Sequence, residues 1–155
     1  MKCVKCEGKR FERRAEAHAV EVAGRKFTGS VPADVCVACG ESYVDAVELA
    51  RVELEAARAL ADAGIVSGET FRYMRHALGF TARDLAPELG VAFETISRWE
   101  NEERPLDRLA WATLAAMVRD ELDGHGRTRE QLRAMREPKR LAKTVHLGSA
   151  KSATR

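Results

Sequence analysis

The four cysteines of this chain form two clips of identical spacing, Cys3-x-x-Cys6 and Cys36-x-x-Cys39. A CxxC turn places two sulfurs on one side of a metal, and two such turns complete a tetrahedral four-thiolate shell. Zn²⁺ takes that shell readily, because it has no geometric preference of its own and binds thiolate strongly. Cys3, Cys6, Cys36 and Cys39 are therefore the candidate ligands of a structural Zn²⁺. An iron–sulfur cluster would use the same four ligands, and spacing alone does not separate the two. A pair of redox CxxC motifs is the other alternative, but neither clip has a thioredoxin-like strand–CxxC–helix context. Disulfides are disfavoured because nothing marks the chain as secreted. A closed four-cysteine shell leaves no open position for catalysis. The sequence also shows no Ser-His-Asp arrangement, phosphate-cradling glycine loop or inward carboxylate pair. His18, His76, His125 and His146 are expected to be solvated or structural. The expectation is a protein that is not an enzyme.

The elements that must carry the clips can be read from the segments around them. Between Cys6 and Cys36, Ala17–Val22 alternates in part and Phe27–Val31 is β-prone, with Ala23-Gly24-Arg25-Lys26 as a hairpin turn. Residues 1–41 thus read as a small two- or three-stranded sheet clamped by the metal. Such a module has too little core to fold alone, so metal binding becomes part of its folding free energy.

Ser42-Tyr43-Val44-Asp45 resembles a capping box, and a helix is expected from about Tyr43 to Ala63, stopped by Gly64. It reads as a linker helix over 42–64 with an acidic, solvated face. Ser67 caps the next helix, Gly68 to Leu78. Thr81 opens a short helix that ends at Gly90, and another runs from after Val91 to about Asn101. Arg104-Pro105 breaks the chain before a longer helix over about Asp107–Leu122. A short helix is expected within 123–137. Residues 138–155 carry five basic and no acidic side chains and read as a disordered basic tail. The predicted fold class is α+β: a zinc-clamped β module, a linker helix and an all-α domain over 65–122.

Charge is segregated along this order. The chain's net charge is +2, yet residues 41–64 and 65–126 each carry −4 while the tail carries +5. No apolar run approaches the length of a membrane span, and Met-Lys-Cys-Val-Lys-Cys offers no signal core, so a cytoplasmic protein with no membrane partner is expected.

Within the all-α segment, Gly79-Phe80-Thr81-Ala82-Arg83-Asp84-Leu85-Ala86, then Leu89-Gly90-Val91, Thr95-Ile96-Ser97-Arg98-Trp99-Glu100-Asn101 and Arg104-Pro105 resemble the helix-turn-helix of Xre/Cro-type repressors. Leu85, Leu89, Val91 and Ile96 supply the core of two crossed helices, Ala86 is small where they touch, and Gly90 supplies the left-handed turn. The order of a four-cysteine module, a helix and this motif looks like the MqsA-type antitoxins, whose amino-terminal module is called the YgiT-type zinc finger. Met1-Lys2-Cys3-x-x-Cys6 and Val31-Pro32-Ala33-Asp34-Val35-Cys36-x-x-Cys39-Gly40-Glu41 carry that likeness. The resemblance implies that the zinc module docks a cognate toxin. It also implies that the helix-turn-helix binds a palindrome in the operon's own promoter as a homodimer.

Carried over from the repressor motif, Phe93, Glu94, Thr95, Ser97 and Arg98 lie on the outward part of the recognition helix, and Arg83 and Arg104 flank it. Arg98 is the candidate base reader, since its fork matches guanine O6 and N7. Arg83, Thr95, Ser97 and Arg104 are candidate phosphate contacts. Glu94 could accept from a cytosine amine, and Phe93 could meet a thymine methyl. Three features depart from the repressor pattern: Ala82 stands where Gln is usual, Pro87 lies inside a helix where a kink is expected, and Ala92 is a poor N-cap. Two further expectations follow. Arg75 and Glu100 should form a partly buried ion pair. The second apolar stripe of the Asp107–Leu122 helix (Trp111, Ala115, Val118, Leu122) should need a partner copy, unless a helix over 128–136 folds back and covers Trp111. The alternatives to a repressing antitoxin are a stand-alone zinc-containing regulator and a zinc-dependent interaction scaffold without DNA binding.

Overall fold

The computed structural model describes residues 1–145. Its elements are β1 (Phe11–Val22), β2 (Arg25–Cys36), β3 (Ser42–Val44), α1 (Ala46–Asp62), α2 (Gly68–Ala77), α3 (Ala82–Leu89), α4 (Phe93–Glu100), α5 (Arg108–Leu122) and α6 (Arg127–Arg136). The class is α+β, an antiparallel three-stranded sheet in the order β1-β2-β3 followed by helices. No described helix is long and apolar enough to cross a membrane.

β1 and β2 form a hairpin in continuous register, from Phe11 opposite Cys36 to Val22 opposite Arg25. The two-residue turn is Ala23-Gly24, both at positive φ (52° and 67°). That is the twist a two-residue hairpin loop requires, and Gly24 adopts it without a Cβ penalty. Val31, Ala33 and Val35 are buried at every second position of β2, the period that puts one sheet face into a core. That face meets α1: a Cβ built on Gly29 would lie 3.4 Å from Val52 Cγ1.

α1 starts later than the sequence suggests. Ser42–Val44 form β3, which pairs antiparallel with Ala33–Val35 of β2, and the cap is Asp45, whose side chain accepts from Val47 and Glu48 N–H. The helix is also more than a solvated linker. Ala56, Ala57, Leu60 and Ala61 are buried, and Ala57 and Ala61 belong to the helical core with Phe71, Met74, Leu85, Ile96, Trp99, Trp111, Leu114, Met117 and Val118. Small residues on this face let α1 approach α5 closely.

The capping signals of α2 and α3 act as read. Ser67 and Thr70 form a reciprocal capping box, as do Thr81 and Asp84. Gly90 closes α3 in the left-handed conformation at φ 66°. α3 continues past Pro87 to Leu89; the missing N–H leaves the Arg83 carbonyl without its intrahelical donor.

The second stripe of α5 is covered within the chain. Trp111, Ala115 and Val118 are buried, and Trp111 Nε1 donates to the buried Thr70 Oγ1 of α2 at 3.1 Å. That stripe is therefore no argument for a partner copy, because α1 and α2 cover Trp111, Ala115 and Val118, while Leu122 stays half-buried. α6 lies against α3 and α5 through Leu132, an Arg136–Glu88 ion pair at 2.6 Å and Arg129, which sits over the Phe80 ring. Thr128 N donates to Asp120 Oδ2 at 2.6 Å, and this bond holds the Asp120 carboxyl below its usual range. Residues 138–145 form no helix or strand; the rest of the expected tail, with His146, lies outside the described residues.

Candidate functional site

Each clip is a tight turn built by the same pair of backbone bonds. In the first, Cys3 N donates to Gly8 O and Glu7 N donates to Cys3 O, both at 2.9 Å. In the second, Cys36 N donates to Glu41 O and Gly40 N to Cys36 O, both at 2.8 Å. The residue after the second cysteine has positive φ in each, Glu7 at 60° and Gly40 at 74°. Glycine takes that conformation freely, whereas Glu7 takes it at a cost that its surroundings must over-determine. The turns project the sulfurs together: Cys3 Sγ lies 3.6 Å from Cys39 Sγ, Cys6 Sγ lies 3.5 Å from Cys36 Sγ, and all four fall within 4.8 Å of one another.

A tetrahedral Zn²⁺ with metal–sulfur bonds of about 2.3 Å separates its sulfurs by about 3.8 Å, so the four thiols fit a four-coordinate metal ion. Gly8 belongs to this packing, since a Cβ there would lie 3.2 Å from Cys36 Sγ and 3.3 Å from Cys6 Sγ. Cys3 and Cys36 are buried, Cys39 is half-buried and Cys6 is exposed.

The four thiols are electrostatically unequal. The Cys3 thiol is lowered to about 6, chiefly by a hydrogen bond from the Tyr43 hydroxyl. Cys6 is pushed up to about 12: the Gly8 N–H pulls it down, but its contacts with Cys39 and Cys36 outweigh that pull. Without metal, Cys3 readily holds negative charge while Cys6 and Cys39 resist it. A divalent cation removes the conflict, and binding it releases protons.

The second candidate site is the pair α3–α4. Leu85, Ala86 and Ile96 are buried between the helices, and Val91 N donates to Ala86 O at 3.0 Å across the Gly90 turn. α4 is pinned from behind. Trp99 meets Phe71 edge-on at 5.9 Å, and the Glu100 carboxylate takes Arg75 Nε at 2.6 Å and Nη2 at 2.9 Å. Arg72 Nε adds a third bond to Glu100 at 3.2 Å, and Arg75 Nη1 donates to Phe80 O at 2.7 Å. The expected Arg75–Glu100 pair is thus present and buried. Gly68 allows the contact of α2 with α4, because a Cβ there would lie 2.3 Å from Trp99 O.

With its back fixed, α4 exposes Phe93, Glu94 and Arg98. Arg83 of α3 is exposed and stacks over the Phe93 ring at 4.5 Å, so the two residues share one position. Ser97 is half-buried, with Asn101 Nδ2 donating to its Oγ at 3.5 Å. Thr95 and Arg104 line a groove together with Leu89, Leu109, Ala110, Leu132 and Met135. Ala92 makes no side-chain cap, so the first N–H groups of α4 carry no side-chain acceptor from that position.

Sequence reading missed Tyr43, Glu7 and Gly8 at the metal cluster and the Arg83–Phe93 stack. The repetition of CxxC followed by a left-handed residue was the available signal for Glu7, since Gly40 holds the equivalent position.

A family model described as the antitoxin component of a bacterial toxin-antitoxin system, MqsA, matches residues 1–122 of the chain. No curated protein matches it significantly.

Proposed function

The chain belongs to the MqsA family of antitoxins, and on that premise we propose that it binds a cognate toxin through a zinc-holding amino-terminal module and represses its own promoter through α3 and α4. The metal is Zn²⁺, held by Cys3, Cys6, Cys36 and Cys39. Its role is structural: four thiolates fill the coordination shell, and the protein acts by binding and not by catalysis. Residues 1–41 form this module, α1 connects it to a helix-turn-helix domain over 65–122, and the protein works in the cytoplasm.

For the toxin surface, the supporting observation is the free edge of β1. This strand is twelve residues long, and among the described residues no strand pairs with its outer side. An unpaired edge of that length offers a ladder of N–H and C=O groups to an added strand.

The DNA reading is carried by one observation: α4 is locked at its carboxyl end by the buried Glu100 carboxylate while its outward residues Glu94 and Arg98 remain free of the core. A rigid helix presenting an Arg fork is what major-groove readout needs. Arg98 reads a base, Glu94 selects against wrong bases, and Phe93 meets a thymine methyl. Arg83, Thr95, Ser97 and Arg104 contact the backbone. The protein binds a palindrome as a homodimer, and the exposed Leu109 and Met135 beside the Thr95 groove are a surface two copies could share.

The net charge of −4 over residues 65–126 favours a second reading, a zinc-dependent interaction scaffold that has lost DNA binding, because phosphate affinity is largely electrostatic. Fluorescence anisotropy with promoter DNA of the chain's own operon separates the two. Under the repressor reading, Arg98→Ala costs about 1–3 kcal/mol on the promoter and little on random DNA. Failure of wild type to bind either promoter or random DNA supports the scaffold.

A further inference from the structure

The four cysteines are not held alike. The Cys36–Cys39 clip grows directly out of β2, whereas the Cys3–Cys6 clip lies at the amino terminus ahead of β1. One side chain reaches across from the sheet to hold it. Tyr43 stands in β3 opposite Asp34 of β2, and its ring meets Phe11 edge-on at 5.7 Å. Its hydroxyl oxygen accepts from Val4 N at 2.9 Å and lies 3.3 Å from Cys3 Sγ. Because the Val4 N–H already occupies a lone pair of that oxygen, the single phenolic proton is left to point at the sulfur.

We propose that Tyr43 is a positioning residue of the metal centre, its phenol donating to the Cys3 thiolate and tying the amino-terminal clip to the sheet. The inference rests on reading the four-cysteine cluster as a metal site. A hydrogen bond to a ligand thiolate fixes the orientation of the sulfur and withdraws part of its charge, and such partners commonly matter to affinity nearly as much as the ligands themselves. The same bond links the metal to the start of α1, since Asp45, two residues on, is that helix's N-cap. No equivalent phenol serves Cys6, Cys36 or Cys39 among the described hydrogen bonds, so the effect is specific to one of four ligands.

The test compares full-length wild type, Tyr43→Phe and Phe11→Leu, each loaded with Zn²⁺ or with Co²⁺ as a spectroscopic substitute. Tyr43→Phe keeps the ring and removes only the hydroxyl. Competition against a chelator is expected to show about 10–100-fold weaker Zn²⁺ binding for Tyr43→Phe. Its thiolate-to-Co²⁺ charge-transfer band is expected to move to longer wavelength, because the sulfur becomes more electron-rich. Phe11→Leu disturbs packing but keeps the hydroxyl, so its band should stay in place. An affinity within about twofold of wild type, an unmoved band in Tyr43→Phe, or an equal shift in Phe11→Leu overturns the inference. Wild type that takes up neither metal overturns the metal reading as well, which distinguishes the two failures. If Tyr43→Phe does not fold, ¹¹³Cd-loaded wild type carries the test. A protected Tyr43 hydroxyl proton with scalar coupling to the metal supports the inference, and the absence of that coupling overturns it.

Discussion

Glu100→Gln is the sharpest test of how α4 is held. Glu100 is buried and receives two bonds from buried Arg75 and one from Arg72. The substitution keeps the shape but removes the charge, and the amide's NH₂ then faces guanidinium donors. Arg75 is left as a buried cation with only neutral acceptors, one amide oxygen and the Phe80 carbonyl. Stranding one partner of a buried pair costs about 3–5 kcal/mol, against about 0–1 kcal/mol for an exposed pair. Since domains of this size are stable by about 5–15 kcal/mol, the loss is a large fraction of the total.

The assay is urea unfolding followed by tryptophan fluorescence, as Trp99 precedes Glu100 and Trp111 lies in the same core. The double change Arg75→Met with Glu100→Leu should cost less than Glu100→Gln alone, because neither charge is then stranded. Arg72 is half-exposed and can turn to water. A cost below about 1 kcal/mol for Glu100→Gln would place the pair energetically at the surface and refute the argument that α4 is locked by it.

Purified chain should hold one equivalent of Zn²⁺, with affinity that falls as pH falls, because protons compete for the thiolates and Cys6, pushed up to about 12 without metal, gives its proton up reluctantly; metal titration at two pH values checks both, and a flat profile contradicts four-thiolate ligation. Cys39→Ser should abolish tight binding and broaden amide signals of residues 1–41 while those of α2–α5 persist. Gly68→Ala should destabilise the helical domain by more than 2 kcal/mol, on the order of other severe overpacking changes, since its Cβ would press on the Trp99 carbonyl backbone at 2.3 Å; an unchanged melting temperature would show that α2 shifts freely.

Much of the frame was legible because the signals were local. Ser67, Thr81 and Gly90 mark helix ends by their own hydrogen bonds and dihedrals, and the structure keeps each. The cysteine clips were legible because a four-thiolate shell dictates residue type and spacing. What failed was decided at a distance. Ser42 looked like a cap, yet Tyr43 and Val44 are drawn into β3 by pairing with β2, and Asp45 three positions on was free to cap instead. The double stripe of α5 was real, but periodicity shows that a face is buried and not by what. The cover came from Ala57 and Ala61 of a helix whose composition suggested a solvated spacer. Tyr43 was invisible as a metal-site residue because its partner lies forty positions away.

The family match ends at residue 122, where α5 also ends. α6 therefore lies beyond the matched part, and it has no buried residue and no side-chain N-cap. Its attachment is a rim of partly exposed ion pairs, Leu132 and the bond from Thr128 to Asp120. Elements held this way open on their own, at free energies well below global unfolding. α6 is thus a detachable cover: when it lifts, the Phe80 ring that Arg129 sits over is uncovered while the helical core stays intact. Amide protons of Glu130 to Arg136 would then exchange with deuterium orders of magnitude sooner than those of α5 beneath them, in a chain that every other probe reports as folded.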